Sequence, residues 1–347
     1  MSSMAIDLVA PQSPAGSGED QGPTVRPRTV NPGLGVGDKI FRGTARSIGL
    51  FVLVMTAAIG LFLGYQAIPT FRHYGLSFLT ETRWLPNVDK VGIASVLLGT
   101  VEVALVALVI GFPVALLTAI YISEYAPQRL RAAFVALIDL MSAVPSVIWG
   151  VWAALWMQPR LIYVSRWLHQ NFGWIPIFDV RTDPNAASWA KIQYLGSAFC
   201  AGVIVGIMII PLACSVMRGV FDLAPLGERE GAYALGATKW GMIRTVVLPF
   251  GRGGIIGGTM LALGRALGET VAVLLVISSN FKPKIEILAQ GTQTISALIA
   301  SLFGEATARQ LSALLTAGFV LFLMTLSVNT VAALFVARSR SGADVDA

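Results

Sequence analysis

The chain has 347 residues, of which 55% are hydrophobic and only 13% charged, with a formal net charge of +6. Soluble domains carry about 25% charged residues, so this composition excludes an ordinary water-soluble globular protein and points to a membrane. The basic balance reflects loop charges that set topology rather than a nucleic-acid footprint, and the short alternating strands of a β-barrel are missing.

Residues 1 to about 38 are rich in Pro, Gly and Ser and poor in large apolar residues, which predicts a disordered cytoplasmic tail. The first apolar run begins near Ser47, too late for a signal peptide. A helix needs about 20 apolar residues to cross the hydrocarbon core. Six segments qualify: about 47–66, 94–121, 133–157, 194–217, 253–277 and 310–337. They predict an all-α polytopic protein with six transmembrane helices in residues 39–340 and a short tail at 341–347. An even number of spans puts both ends on one side. The tails and even-numbered loops hold 14 Lys and Arg and the odd-numbered loops 10, favouring cytoplasmic termini, N-in and C-in.

Along the chain, the second span carries Glu102 about two turns below its outer end, where it could be structural, line a vestibule or meet an Arg of a partner. Asp139 lies near the inner end of span three and fits packing or gating equally. Pro145 and Ser146 invite a kink in mid-span, where freed backbone groups or a hydroxyl could face a path. Trp149, Trp152 and Trp156 then follow at helical spacing, as in an interfacial aromatic belt. Cys200 and Cys214 share one helix in span four, too far apart to bridge, and read as packing residues.

Between spans four and five lies "EREGAYALGATKWGMIRTVVLP", residues 228–249. Ala232, Leu235, Ile243, Val246 and Val247 recur at helical spacing. Gly236 interrupts the first short helix and Pro249 is expected to close the second. The pattern predicts a helix–Gly–helix knob with Glu230, Lys239 and Arg244 exposed. "GAYALGAT" has the glycine spacing of a phosphate-binding loop, but Ala237 stands where the Lys should be, so the chain carries no ATPase site of its own.

Span five holds "LALGRALGETVAVLLV", residues 261–276. On a continuous helix, Arg265 and Glu269 share a face one turn apart. Arg265 lies about 18 Å along such a helix, near the bilayer midplane, where ionisable groups are costly. Gly253, Gly257, Gly264 and Gly268 fall within about 60° of one another, a small-residue seam suited to close helix approach. The charged pair points about 110° from that seam's centre. Two readings stand: a buried structural ion pair, or an anion path in which the forked guanidinium meets a tetrahedral oxyanion and Glu269 holds it in place. The loops near 158–193 and 278–309 are long enough to dock a soluble partner, and "GTQTISALIASLFGEA", 291–306, could lie at that surface as a short amphipathic helix.

The 228–249 segment resembles the coupling loop of ABC-importer permeases, on Glu230, Ala232, Gly236, Val246, Leu248 and Pro249, with Gly231 in place of the usual Ala. "GRALGETVAV" resembles the signature of phosphate-importer permeases, the C-type subunits of the Pst system in particular. "IDLMSAVPSVIWGVW", 138–152, is similar to another block of that family, with Asp139 for the usual Glu and Trp149 for Tyr. "YISEYAP", 121–127, and "GEA", 304–306, also match, and the likeness covers about residues 41–338. It implies a type I ABC importer permease fold in a bacterial inner membrane, importing inorganic phosphate. Arg265 and Glu269 would serve substrate passage, and Glu230, Ala232, Gly236, Leu248 and Pro249 coupling to an ATPase. The implied partners are a homologous second permease, two ATPase subunits holding ATP and Mg, an extracytoplasmic phosphate-binding protein and membrane lipid. The chain itself would be a transport subunit and not an enzyme, with no cofactor or metal. Alternatives are the same fold carrying sulfate or molybdate, a signalling subunit, or a secondary transporter. The last would need inverted repeats or broken helices, and the two halves show no convincing duplication.

Overall fold

The computed structural model describes residues 35–180, 191–281 and 283–340, with the side chains of residues 36, 191, 192 and 337–340 left out. The expected tail at 341–347 and all but the end of the one at 1–38 lie outside the described residues; helix has begun by Val36. The chain divides after Met55. The described part of the first unit is the leading half of helix α1 (Val36–Tyr74), exposed from Gly37 to Met55. Everything else belongs to the second unit.

There the rest of α1 packs on α14. Gly60 and Gly64 face the rings of Phe322 and Phe319, and the Ser312 hydroxyl donates to the Gln66 carbonyl at 2.9 Å. After α1 come α2 (Ser77–Thr80) and a small antiparallel pair, β1 (Trp84–Leu85) and β2 (Lys90–Val91), with Trp84 opposite Val91. Helix α3 (Ala94–Ile120) is apolar but for Glu102 and a few hydroxyl residues and ends in a π turn, Tyr121–Tyr125. Span three is broken. Helix α4 (Gln128–Ala143) meets α5 (Ser146–Trp152), which continues through a π turn (Ala153–Met157) into α6 (Gln158–Phe172), with a bend of 88° at the junction. The cause is local: Pro145 has no N–H to give and pushes Val144 into an extended conformation, φ −67° and ψ 125°. The expected kink at Pro145–Ser146 is therefore present.

Helix α7 (Ala198–Phe221) is the most buried span, wedged against α3. At Gly202 a Cβ would lie 2.5 Å from Val106 Cβ, and at Gly111 one would lie 2.9 Å from the Gly206 carbonyl oxygen. Such contact lets two apolar helices share van der Waals surface that a bilayer cannot drive together by hydrophobicity alone. A knob follows, made of α8 (Leu226–Ala234), α9 (Lys239–Met242), a π turn (Ile243–Val247) and α10 (Leu248–Phe250). Helix α11 (Arg252–Gly268) leaves it at a bend of 67°.

Span five is not the single helix expected over 253–277. Helix α11 stops at Gly268, Glu269 is extended with φ −65° and ψ 126°, and helix α12 resumes over Val271–Val276. The stretch 291–306 lies at the surface only in part: it is covered as far as Leu298, while Ala300, Ser301 and Phe303 are exposed. Helix α13 (Ile295–Leu302) is buried on one face, with Ile295, Ala297 and Leu298 all fully covered by neighbours that include α3, α12 and α14. Helix α14 (Ala308–Arg340) closes the chain. Among the described residues four helices are long and apolar enough to cross a membrane unbroken, and two bent pairs bring the number to as many as six.

Candidate functional site

The two broken spans meet. Gly150 of α5 approaches α12 so closely that a Cβ there would lie 2.8 Å from Ala272 Cα. Beside this contact Ser146, Gly264, Arg265, Gly268, Glu269, Thr270 and Val271 line an open recess of about 500 Å³. Ser146 opens α5 just after its break, and Glu269 and Thr270 are the break in span five.

Backbone groups freed by the second break find partners. The Ser296 hydroxyl of α13 donates to the Glu269 carbonyl at 2.7 Å, and the Ala272 N–H donates to Glu269 Oε1 at 3.3 Å. At the other end of α12 the buried Gln158 side-chain amide donates to the Val276 carbonyl at 3.0 Å. Non-helical backbone at membrane depth survives only with such partners. Arg265 sits in the last turn of α11, where a cation complements the helix dipole, and its side chain is exposed to the recess.

This geometry corrects the expected pairing. Arg265 and Glu269 form no salt bridge, and among the described residues the Arg265 guanidinium has no ion pair or hydrogen bond. The helix ends between them, which destroys the one-turn register and turns the carboxylate toward the α12 amide. The glycine seam also behaves differently. The close approach of α11 to α7 uses Gly254 and Gly258, where added Cβ atoms would meet Val220 at 2.5 Å and the Ala213 carbonyl oxygen at 3.2 Å. Gly257 and Gly268 have nothing within 4 Å, and Gly264 meets only Asn329.

The knob stands at one end of the bundle. Gly236, with φ +82°, makes its turn in a left-handed conformation that few other residues adopt. The Thr238 hydroxyl then caps α9 by accepting from the Gly241 N–H at 3.1 Å. Leu235 at the tip is 91% exposed. Glu230, Lys239, Arg244 and Pro249 are exposed, while Ala232 and Leu248 are half-buried against the bundle. Pro249 does not close the second helix, which runs on to Phe250. The π turn over 243–247 puts Pro249 in the first turn of a new register, where its missing N–H costs little.

The root of the knob is ionic. Arg229 pairs with Glu124 at 3.0 Å and donates to the Phe221 carbonyl at 2.6 Å; the two side chains are 16% and 4% exposed. Beside it Asp222 accepts from Ser123 at 2.9 Å and pairs with Arg131, and Lys239 lies 4.8 Å over the Tyr125 ring. Pairings across about a hundred residues leave no mark in a single sequence; only "YISEYAP" hinted that Glu124 mattered. Ser296 was equally invisible. Among the described residues no cluster of His, Cys, Asp and Glu could hold a metal ion.

Among the described residues, four to six apolar spans, a knob at one end and a polar recess between broken spans make up the fold of a type I ABC importer permease. The fold agrees with that of a bacterial alginate importer structure, with a TM-score of 0.54 at 18% identity, covering 86% of this chain and 99% of that one. The chain belongs to the family of binding-protein-dependent transport system inner membrane components, whose sequence pattern matches residues 111–341. It is 37% identical over 300 residues to the phosphate transport system permease protein PstC 2 of Mycobacterium tuberculosis, covering 85% of this chain and 90% of that protein. It is 38% identical over 301 residues to PstC of Xylella fastidiosa, covering 86% and 90%.

Proposed function

We propose that the chain is a permease subunit of an ATP-driven importer of inorganic phosphate and forms half of its path. The observation that carries this reading is the unpaired Arg265 guanidinium, facing an open recess in a chain so similar to phosphate-system permeases. A planar fork of donors suits a tetrahedral oxyanion, and the charge persists where water is scarce. Glu269 serves the path indirectly, by capping α12 and so shaping the recess, and its negative charge limits how firmly an anion is held.

The recess is open beside Gly268, which is bare and shares a face of α11 with Gly257. A homologous second permease fits that face and completes the path. The knob docks one of two ATPase subunits, which hold ATP and Mg, through Glu230, Ala232, Gly236, Leu248 and Pro249. In this reading the knob and both termini lie in the cytoplasm of a bacterial cell, and an extracytoplasmic phosphate-binding protein docks at the opposite end. The test is uptake of labelled phosphate, with labelled sulfate in parallel, in cells lacking their own copy. Wild type restores phosphate uptake alone, and Arg265→Ala lowers it by about tenfold or more while the complex still assembles. Restoration of sulfate uptake alone, or normal phosphate uptake by Arg265→Ala, would refute the reading.

A further inference from the structure

Glu102 does not face the Arg265 recess. It lines a separate groove of about 480 Å³ at the end of the bundle away from the knob, among Leu98, Leu105, Val109, Phe178, Phe199 and Ile287. All its other lining residues are apolar too. Glu102 Oε1 is buried there with no hydrogen-bond partner. The charged side chains that act on it through space, Glu286 and Lys284, engage other groups; the Lys284 ammonium donates to the Gln290 carbonyl. Leu105 and Val109 are exposed on the same flank of α3, so the groove opens sideways, toward lipid.

The depth is informative. The 32-residue span Ala94–Tyr125 is about 48 Å long, against a hydrocarbon core of about 30 Å. Centred in the bilayer, it leaves about 9 Å beyond the core at each end, and Glu102 lies about 12 Å from Ala94. The carboxyl group thus sits about 3 Å inside the hydrocarbon edge, within reach of a lipid headgroup. Hydrocarbon suits the walls. The bare oxygen needs a donor, and a carboxylate in such surroundings needs a positive one.

We propose that the groove binds a phospholipid with a primary-amine headgroup, one acyl chain lying along the apolar wall and the ammonium donating to Glu102. A quaternary ammonium has no N–H to give, and an anionic headgroup is repelled. The site is independent of the Arg265 recess and of what the chain transports.

The test uses the intact importer complex containing the full chain, delipidated and then supplied with phosphatidylethanolamine or phosphatidylcholine of identical acyl chains. Lipid retained per complex is counted by native mass spectrometry. Wild type retains phosphatidylethanolamine about tenfold better, the effect of one charge-assisted hydrogen bond, and Glu102→Gln brings the two lipids to parity. Leu105→Trp, which fills the groove and leaves the acid in place, lowers retention of both. Equal retention by wild type, or a preference that survives Glu102→Gln, overturns the proposal. So does loss of another subunit in Glu102→Gln without any lipid preference, since the groove would then hold a protein side chain.

Discussion

Among the described residues Arg265 has no counter-ion, at a depth where a bare charge is costly, and that makes its chemistry testable by degree. Arg265→Lys keeps the charge but loses the planar fork. Initial uptake should fall by about ten- to hundredfold in Arg265→Ala, the worth of hydrogen bonds to a charged group, and by less in Arg265→Lys. Equal rates in the two variants would mean that charge alone matters. Ser296 acts at one remove, through the Glu269 carbonyl. Ser296→Ala strands a buried acceptor, at about 1–3 kcal/mol. It should raise the phosphate concentration for half-maximal uptake at equal membrane levels, and Ser296→Thr, which keeps the hydroxyl, should restore it. A Ser296→Ala variant that lowers only the amount of protein in the membrane would make the hydroxyl purely structural.

At the scale of elements, the knob can transmit force only if its root is stiff. Arg229 and Glu124 tie α8 to the end of α3, and breaking a buried pair leaves an uncompensated charge, costing about 3–5 kcal/mol. Glu124→Ala should lower the melting temperature of the complex and uncouple ATP hydrolysis from uptake, with Glu124→Gln milder. Unchanged coupling would assign the root to stability alone. The elements also show where a sequence is readable. The break at Pro145 was legible because proline acts on its own backbone, and the Gly236 turn was legible for the same reason. The break at Glu269 was not. "GRALGETVAV" scans as one helix, and what stabilises the interruption is a hydroxyl on another helix. Helix α13 was half legible, because periodicity marks an apolar face without saying what covers the first turn. Here Thr100 Oγ1 accepts from the Ile295 N–H at 3.0 Å and Ser296 reaches the broken span.

For the whole molecule, the glycines of α11 separate folding from assembly. Gly254→Leu would collide with Val220 and should destabilise the chain by itself. A Cβ added at Gly257 meets nothing within 4 Å, so Gly257→Leu should destabilise the chain less than Gly254→Leu while weakening its association with a second permease. Equal effects on both, measured by membrane level and co-purification, would contradict the placement of the partner. At the end away from the knob, Asp89 links three elements, bonding His73 at 2.7 Å, Tyr74 at 2.8 Å and lying 3.6 Å from Arg309. The hydrogen bonds from His73 and Tyr74, with nearby positive charge, hold its carboxyl below the usual range. A depressed pKa stabilises the fold above the unfolded value, about 3.9, and that gain is lost as pH falls through the folded value. Asp89→Asn tolerates the left-handed backbone there, φ 56°, and should blunt the acid-side fall in melting temperature. An unaltered acid limb would exclude Asp89 as a contributor.

The Ser296–Glu269 bond also bears on how the protein is made. The hydroxyl that completes span five lies 27 residues downstream of the carbonyl it satisfies. At about 5–20 residues per second, the ribosome needs roughly 1–5 s to supply it. During that interval span five has left the ribosome with a bare carbonyl and no dry place to keep it. The broken helix must therefore wait, in the insertion machinery or at a wet interface, until α13 arrives. Its final seating in the bilayer thus depends on the arrival of α13 as well as on its own hydropathy.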